Sequence, residues 1–224
     1  MNESFLNTVF NISEIFYSIQ GESTLAGLPC VFVRLQGCEL RCKWCDTPYA
    51  LEIKQIEKQM SAREIINEIN KYQCNYVCFT GGEPLLQKEI INLINHLAKK
   101  DYIISIETNG HQDISKLNDK VIKVMDLKAP SSGMVNYNKF ENLNYLTHND
   151  EIKIVINDKT DYLWAREIIS KYKLDKTVKT VILTPVSGEL SAKELAEWVL
   201  ADKLPVRVLL QLHKYIWESD KRGI

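Results

Sequence analysis

The chain carries no excess of either charge: 28 Lys and Arg stand against 29 Asp and Glu in 224 residues, a formal net charge of −1. A dedicated nucleic-acid binder shows a basic stripe, so no nucleic-acid partner is expected. No apolar run approaches the ~20 residues that cross a bilayer, and no membrane partner is expected either. The opening MNESFLNTVF lacks a basic segment leading into an apolar one, so it does not read as a secretory leader and a cytoplasmic protein is expected. Low-complexity tracts, Pro/Gly/Ser-rich linkers and fixed-period repeats are also missing, which leaves residues 1–224 as one domain. Apolar residues reach 45%, enough for a sizeable core.

What the chain does have is an alternation of short β-branched runs with amphipathic stretches. PCVFVRLQG, YVCFTGG, YIISIETNG, VIKVMDLKAP, EIKIVIND, TVILTPVSG and VRVLLQLHKYI read as strands. SAREIINEINKY, EPLLQKEIINLINHLAKK and KTDYLWAREIISKYK read as helices; Ser61-x-x-Glu64 and Ser191-x-x-Glu194 form capping boxes, and Pro84 suits a first helical turn. Strands separated by helical segments imply right-handed parallel crossovers. Six or seven such units are too few for a closed eight-unit barrel, so the expected fold is α/β, a partial, open TIM-like barrel.

Nearly every apolar run ends in polar residues: Gln36 and Cys38, Thr80 to Glu83, Glu107 to Asn109, Asp126 and Lys128, Thr184, Gln211 and His213. Any one of them reads most simply as a cap or turn residue. Six strands ending alike point instead to a site ringed by the C-terminal ends of barrel strands.

Six cysteines are present, three of them in GCELRCKWCDT as C-x₃-C-x₂-C: Cys38, Cys42 and Cys45. Structural zinc takes four protein ligands, and the four histidines are all remote in sequence. A Cys42–Cys45 redox pair would leave Cys38 idle. A [4Fe–4S] cluster on three thiolates keeps one iron open for a chelating small molecule. That spacing, just after a barrel-type strand, resembles the radical S-adenosylmethionine (SAM) enzymes; zinc and a redox pair remain as alternatives. Cys30 and Cys78 lie in apolar runs and read as buried thiols, and Cys74 with Cys78 is a weak hint of a second metal site.

TGGEP, Thr80 to Pro84, follows a strand and opens a helical segment. Alone it could be an ordinary strand–helix turn. Beside the cysteine motif it resembles the superfamily segment that holds the amino group of SAM.

Further segments narrow the resemblance: IFYSIQGES before the cysteine loop, Cys45-Asp46-Thr47, IETNG, and QLHKYIW near the end. Together these look like the 7-carboxy-7-deazaguanine synthase family, from Ile15 to Trp217. The resemblance implies that Cys38, Cys42 and Cys45 hold the cluster and that Thr47 offers its hydroxyl to Mg²⁺. It implies substrate contacts from Ile19, Gln20, Gly21, Glu22, Arg34, Thr80, Gln211 and His213. Gly81, Gly82, Glu83, Glu107, Asn109, the Asp126-Leu127-Lys128 segment and the Thr184-Pro185-Val186-Ser187 segment would line the SAM pocket. Asp126-Leu127-Lys128 matches the family pattern only loosely. Some members end soon after HKY, with a terminal carboxyl near the substrate, whereas here the sequence runs on to Ile224.

The chemistry so implied is reductive cleavage of SAM, abstraction of the C6 hydrogen of 6-carboxy-5,6,7,8-tetrahydropterin, ring contraction and loss of ammonia, giving 7-carboxy-7-deazaguanine, a queuosine-pathway precursor. SAM is regenerated, and an electron donor such as flavodoxin or ferredoxin supplies the reduced cluster. No general acid or base stands out. The family suggests a homodimer. Two other readings stand beside this one: another small radical SAM enzyme, such as a glycyl-radical activase acting on a protein, and a metal-binding module without catalysis.

Overall fold

The computed structural model describes residues 3–53, 58–217 and 222–223. Nine strands form one sheet: β1 (Val9–Ile19), β2 (Pro29–Leu35), β3 (Lys58–Ser61), β4 (Tyr76–Gly81), β5 (Ile103–Thr108), β6 (Ile122–Leu127), β7 (Glu151–Ile156), β8 (Thr180–Pro185) and β9 (Arg207–Val208). Their order is β3-β1-β2-β4-β5-β6-β7-β8-β9, so the sheet is open, with β3 and β9 at its ends. From β2 onward the spatial neighbours run parallel, seven strands in all, as expected for a partial barrel.

Two strands escaped the sequence reading. β1 pairs antiparallel with β2, and β3 pairs antiparallel with β1. The second half of β1 overlaps IFYSIQGES, a segment read only for the family resemblance, and the irregular register of β1 between Ile12 and Glu14 blurs the two-residue alternation.

The helices are α1 (Ala62–Lys71), α2 (Ile90–Leu97), α3 (Lys159–Tyr172), α4 (Leu174–Thr177), α5 (Ala192–Ala201) and α6 (His213–Ile216). Ser61 caps α1 in a complete capping box with Glu64, and Ser191 accepts a hydrogen bond from the Glu194 amide at the start of α5. Ile65 and Ile69 of α1 and Ala165, Ile168 and Ile169 of α3 recur at helical spacing and join the main core.

Three sequence expectations are corrected. The stretch from Pro84 is not one helix: Pro84 starts a single 3₁₀ turn, Pro84–Leu86, and α2 begins only at Ile90. The β5–β6 and β6–β7 connections carry 3₁₀ turns or irregular chain in place of crossover helices. VRVLLQLHKYI pairs with the sheet only over Arg207–Val208, and His213, expected at a strand end, opens α6. An edge strand has one neighbour, and here Leu212 turns away to donate its amide to the Gly21 carbonyl at 2.9 Å.

Candidate active site

The C-terminal ends of the parallel strands open on a cavity of about 700 Å³. The cysteine loop follows β2 directly and forms one wall, and Cys38, Cys42 and Cys45 are all free thiols facing it. The loop is built on backbone bonds. Gly37 N–H donates to Ala50 O at 2.8 Å, Cys38 N–H to Leu51 O at 3.0 Å, and the Arg41 guanidinium to the carbonyls of Cys38 and Leu40. Cys38 Sγ accepts from the Leu40 amide at 3.4 Å and from Asn109 Nδ2 at 3.8 Å. Burial pushes the Cys38 thiol up to about 11 and raises Cys42 as well, with Lys128 opposing the latter. Such thiols are poor nucleophiles and become thiolates when metal binds them.

Gly82 locks the next loop against this one. A Cβ at Gly82 would lie 2.6 Å from the Gly37 carbonyl carbon and 2.8 Å from Ala50 O. The Gly82 amide donates to Leu35 O at 3.1 Å and the Glu83 amide to Gly37 O at 2.8 Å. The Gly82 and Glu83 amide hydrogens are therefore committed to the end of β2 and to the cysteine loop. Glu83 is the motif's anchor: its carboxylate accepts from the amides of Leu85 (3.0 Å) and Asn109 (2.7 Å) and from Thr108 Oγ1 (2.9 Å). It is fully buried and forms no part of the cavity wall.

The far side of the cavity is formed by the loop between β1 and β2, which lies at the N-terminal end of the parallel strands. Gln20 Nε2 donates to Tyr76 Oη (3.2 Å) and to Glu107 Oε1 (3.3 Å), and its Oε1 accepts the Glu22 amide at 3.0 Å. Thr80 Oγ1 holds the other oxygen of Glu107 at 2.8 Å. Glu107, expected on the SAM side, is thus bonded by two residues expected on the substrate side. Burial, then the nearby Glu22, raises its carboxyl above the ordinary range.

Glu22 is bonded by Lys153 and, at 2.5 Å, by Gln211 Nε2, which also reaches Asp46 Oδ2 at 3.3 Å. Burial alone would raise the Glu22 carboxyl; Lys153, Gln211 and His213 bring it down to about 2. Glu22, Asp46 and His213 converge within 4.8 Å, the one such group of metal-ligating side chains among the described residues. Each Glu22 oxygen accepts one hydrogen bond from a protein donor, Gln211 or Lys153, and burial keeps the His213 imidazole toward its neutral form despite the two carboxylates. The three are an acceptor patch. The three cysteine sulfurs are not gathered in that way, which suits a multi-iron cluster better than one zinc ion.

Arg34 faces the cavity. Its Nε pairs with Glu14 at 2.7 Å, Tyr49 Oη donates to the same carboxylate oxygen at 2.8 Å, and the guanidinium lies 5.6 Å from the Phe16 ring centroid. On the opposite side Lys128 pairs with Asp126 Oδ2 at 3.0 Å, while Asp126 Oδ1 is buried without a partner. An orphaned acceptor at the wall fits a ligand hydroxyl.

Of the residues expected to line a ligand, Glu83, Leu127, Thr184 and Pro185 stand outside the wall: Leu127 and Thr184 are buried in strands, and Pro185 pairs with Ile156. Val186 and Ser187 just beyond do line it, as does Thr47, whose hydroxyl stands 3.9 Å from Cys45 Sγ. Lys153, Glu14 and Tyr49, which also line the cavity, were missed: Lys153 and Glu14 lie inside strands and Tyr49 in a short turn-like stretch. Of the run Glu218–Ile224, Arg222 and Gly223 are among the described residues. They line the cavity mouth, with Arg222 3.7 Å from the Tyr49 ring centroid.

Cys30 and Cys78 are fully buried with Phe16, Phe32 and Tyr76 in a small cluster, and Cys74 packs beside it. Burial raises the Cys30 and Cys78 thiols, as expected of packing residues. No helix among the described residues is long and apolar enough to cross a membrane.

The Radical SAM superfamily profile matches residues 32–199. The chain is 42% identical over 217 residues to 7-carboxy-7-deazaguanine synthase of Chlorobaculum tepidum, covering 96% of this chain and 97% of that one. It is 40% identical over 227 residues to the protein of that name from Koribacter versatilis, at 95% and 99% coverage. The crystal structure of QueE from Escherichia coli shares the fold, with a TM-score of 0.75 at 24% identity, covering 92% of this chain and 96% of that one. With three cysteines on a loop after β2, a glycine turn locked against that loop and full-length similarity of this extent, the chain belongs to the 7-carboxy-7-deazaguanine synthase family of the radical SAM superfamily.

Proposed function

We propose that this protein is a 7-carboxy-7-deazaguanine synthase, a carbon–nitrogen lyase that converts 6-carboxy-5,6,7,8-tetrahydropterin to 7-carboxy-7-deazaguanine with release of ammonia. The observation that carries this reading is a single cavity bounded by the three cysteines on one side and by Gln20, Glu22 and Arg34 on the other. A multi-iron cluster on Cys38, Cys42 and Cys45, with SAM at its open iron, would supply one-electron reduction and hydrogen abstraction.

The protein's own residues bind, orient and shield. The Gly81–Gly82 turn offers carbonyls to an ammonium, and Asp126 Oδ1 offers an acceptor to a hydroxyl. Glu22 and Glu107 are acceptors for the N–H groups of a pterin, since a carboxylate has room for about four hydrogen bonds. Arg34 stands ready for a carboxylate, its charge partly balanced by Glu14. Thr47, with Asp46 beside it, would hold Mg²⁺ through hard oxygen donors and a substrate carboxylate. The low-dielectric wall formed by Phe16, Phe32 and Leu40 keeps water from the reacting centre. A flavodoxin or ferredoxin as reductant, a homodimer, a cytoplasmic location and a single radical SAM domain over residues 1–224 complete the proposal.

One anaerobic assay tests it. The iron- and sulfide-reconstituted protein is given reductant, SAM, Mg²⁺ and 6-carboxytetrahydropterin, and products are identified by mass spectrometry. The deazaguanine is the expected product; SAM cleavage without it would reject the substrate and retain the superfamily chemistry.

A further inference from the structure

Three of the five Lys and Arg residues that line the cavity sit on barrel strands or directly after them. Arg34 is paired with Glu14 and Lys128 with Asp126. The third, Lys153, comes from the middle of β7 on the same face as Glu151 and Val155, and nothing in EIKIVIND marks it as more than a stray charge in a strand. Its ammonium is bonded to Glu22 and lies 3.7 Å from Asp126 Oδ2. The Lys153 and Glu22 side chains are only 14% and 10% exposed. Two charges taken so far out of water persist only as a pair, and loss of one partner leaves the other uncompensated.

A strap that merely ties β7 to the β1–β2 loop would be redundant here. Thr24 of that loop already donates its amide to Glu151 Oε2 at 3.0 Å and its hydroxyl to the same carboxylate, and Gly21 O accepts from Leu212. The Glu22 amide is held separately by Gln20 Oε1. What none of these fixes is the Glu22 carboxylate, whose donors are Lys153 and Gln211.

We propose that Lys153 is a positioning residue for the pterin: its ammonium holds Glu22 as an ionised, oriented acceptor facing the N–H edge of the substrate. This rests on the pterin reading above. An aminopyrimidinone edge presents adjacent N–H donors, and a carboxylate with one lone pair on each oxygen still open is the matching group. A neutral or rotated Glu22 would lose that match. Lys128 stays on Asp126 without Lys153, so the SAM side is spared.

The test is equilibrium binding to cluster-loaded protein under anaerobic conditions, with SAM and with 6-carboxypterin as a non-reacting probe. Lys153→Met is expected to weaken 6-carboxypterin binding about tenfold or more and to leave SAM binding within about threefold, the loss of one charge-assisted contact. Lys153→Arg, which keeps the charge, is expected to recover most of the loss. Because Lys153 acts through Glu22, the Glu22→Gln/Lys153→Met double variant is expected to bind the probe no worse than Glu22→Gln alone. The double variant buries no unpaired charge, so this comparison survives if Lys153→Met fails to fold. Unchanged probe binding in Lys153→Met, equal loss of SAM and probe, or additive losses in the double variant would each overturn the inference. Failure of the unsubstituted protein to bind 6-carboxypterin would instead overturn the pterin reading beneath it.

Discussion

The Leu212 amide donates to the Gly21 carbonyl at 2.9 Å, joining the segment after the last strand of the open sheet to the loop after the first. The gap that strand pairing leaves is thus bridged by loops, and the cavity gains a wall there. A Cβ at Gly21 would lie 3.0 Å from the His213 backbone nitrogen and closer still to its ring. Gly21→Ala is therefore expected to push α6 away. The cost should be about 1–3 kcal/mol, typical of overpacking, with weaker pterin binding and an intact cluster. Thermal unfolding and 6-carboxypterin titration check it; an unchanged midpoint and affinity would show that the bridge is dispensable.

Gly82 sets how the cluster loop sits. With Gly37 C and Ala50 O within 2.8 Å of an added Cβ, and both of them backbone, Gly82→Ala can be relieved only by separating the two loops. We expect reconstituted Gly82→Ala to hold less iron and to lose absorbance near ~400 nm, the region of iron–sulfur charge transfer. Cys42→Ala should do the same. Cys78→Ala, in a buried packing cluster away from the loop, should keep full iron content.

Burial pushes the Glu83 carboxyl up to about 7, against the hydrogen bonds from Asn109, Leu85 and Thr108. An unfolded glutamate titrates near 4.5. Between those values the native state keeps a proton that the unfolded state has lost, so this contribution is fully present at low pH and is lost as pH rises toward 7. From pH 5 to pH 8 it amounts to about 2–3 kcal/mol. Glu83→Gln has no proton to keep. Urea unfolding of the iron-free protein at the two pH values should show that much less pH dependence in the variant; parallel dependences would contradict the assignment.

Lys123 and Asp150 form a second buried ion pair, at 3.0 Å, where β6 begins and just before β7. Asp150 also accepts from the Lys123 and Thr147 amides. Asp150→Asn and Lys123→Met each strand a partner, and each should cost about 3–5 kcal/mol. Neither residue lines the cavity, so cluster loading in surviving folded protein should be unaffected. A loss below about 1 kcal/mol in both would mean that relaxation or water compensates the stranded charge.

The cluster loop, the glycine turn and the open parallel architecture were legible because each is a local pattern: three cysteines within eight residues, two glycines between a strand and a proline, and apolar runs that end in polar residues. Ser61-x-x-Glu64 was legible for the same reason, since a cap is closed within one turn. β1 and β3 were not, because their pairing is long-range and one register irregularity hides the alternation. The short α6 was hidden too; VRVLLQLHKYI has the composition of a strand, and long-range bonds such as Leu212 N–H to Gly21 O and Gln211 to Glu22 hold its second half away from the sheet.

The sequence by itself determined the three-cysteine set, the glycine turn and the family segments, all read over a few neighbouring residues. Only the tertiary structure decided which polar groups face one another: that Glu83 points into the protein and not into the cavity, that Glu107 joins Gln20 and Thr80, and that Lys153 meets Glu22. The reason is distance along the chain. Glu22 and Lys153 are 131 positions apart, and their charges become partners only when the open sheet curls and takes both out of water.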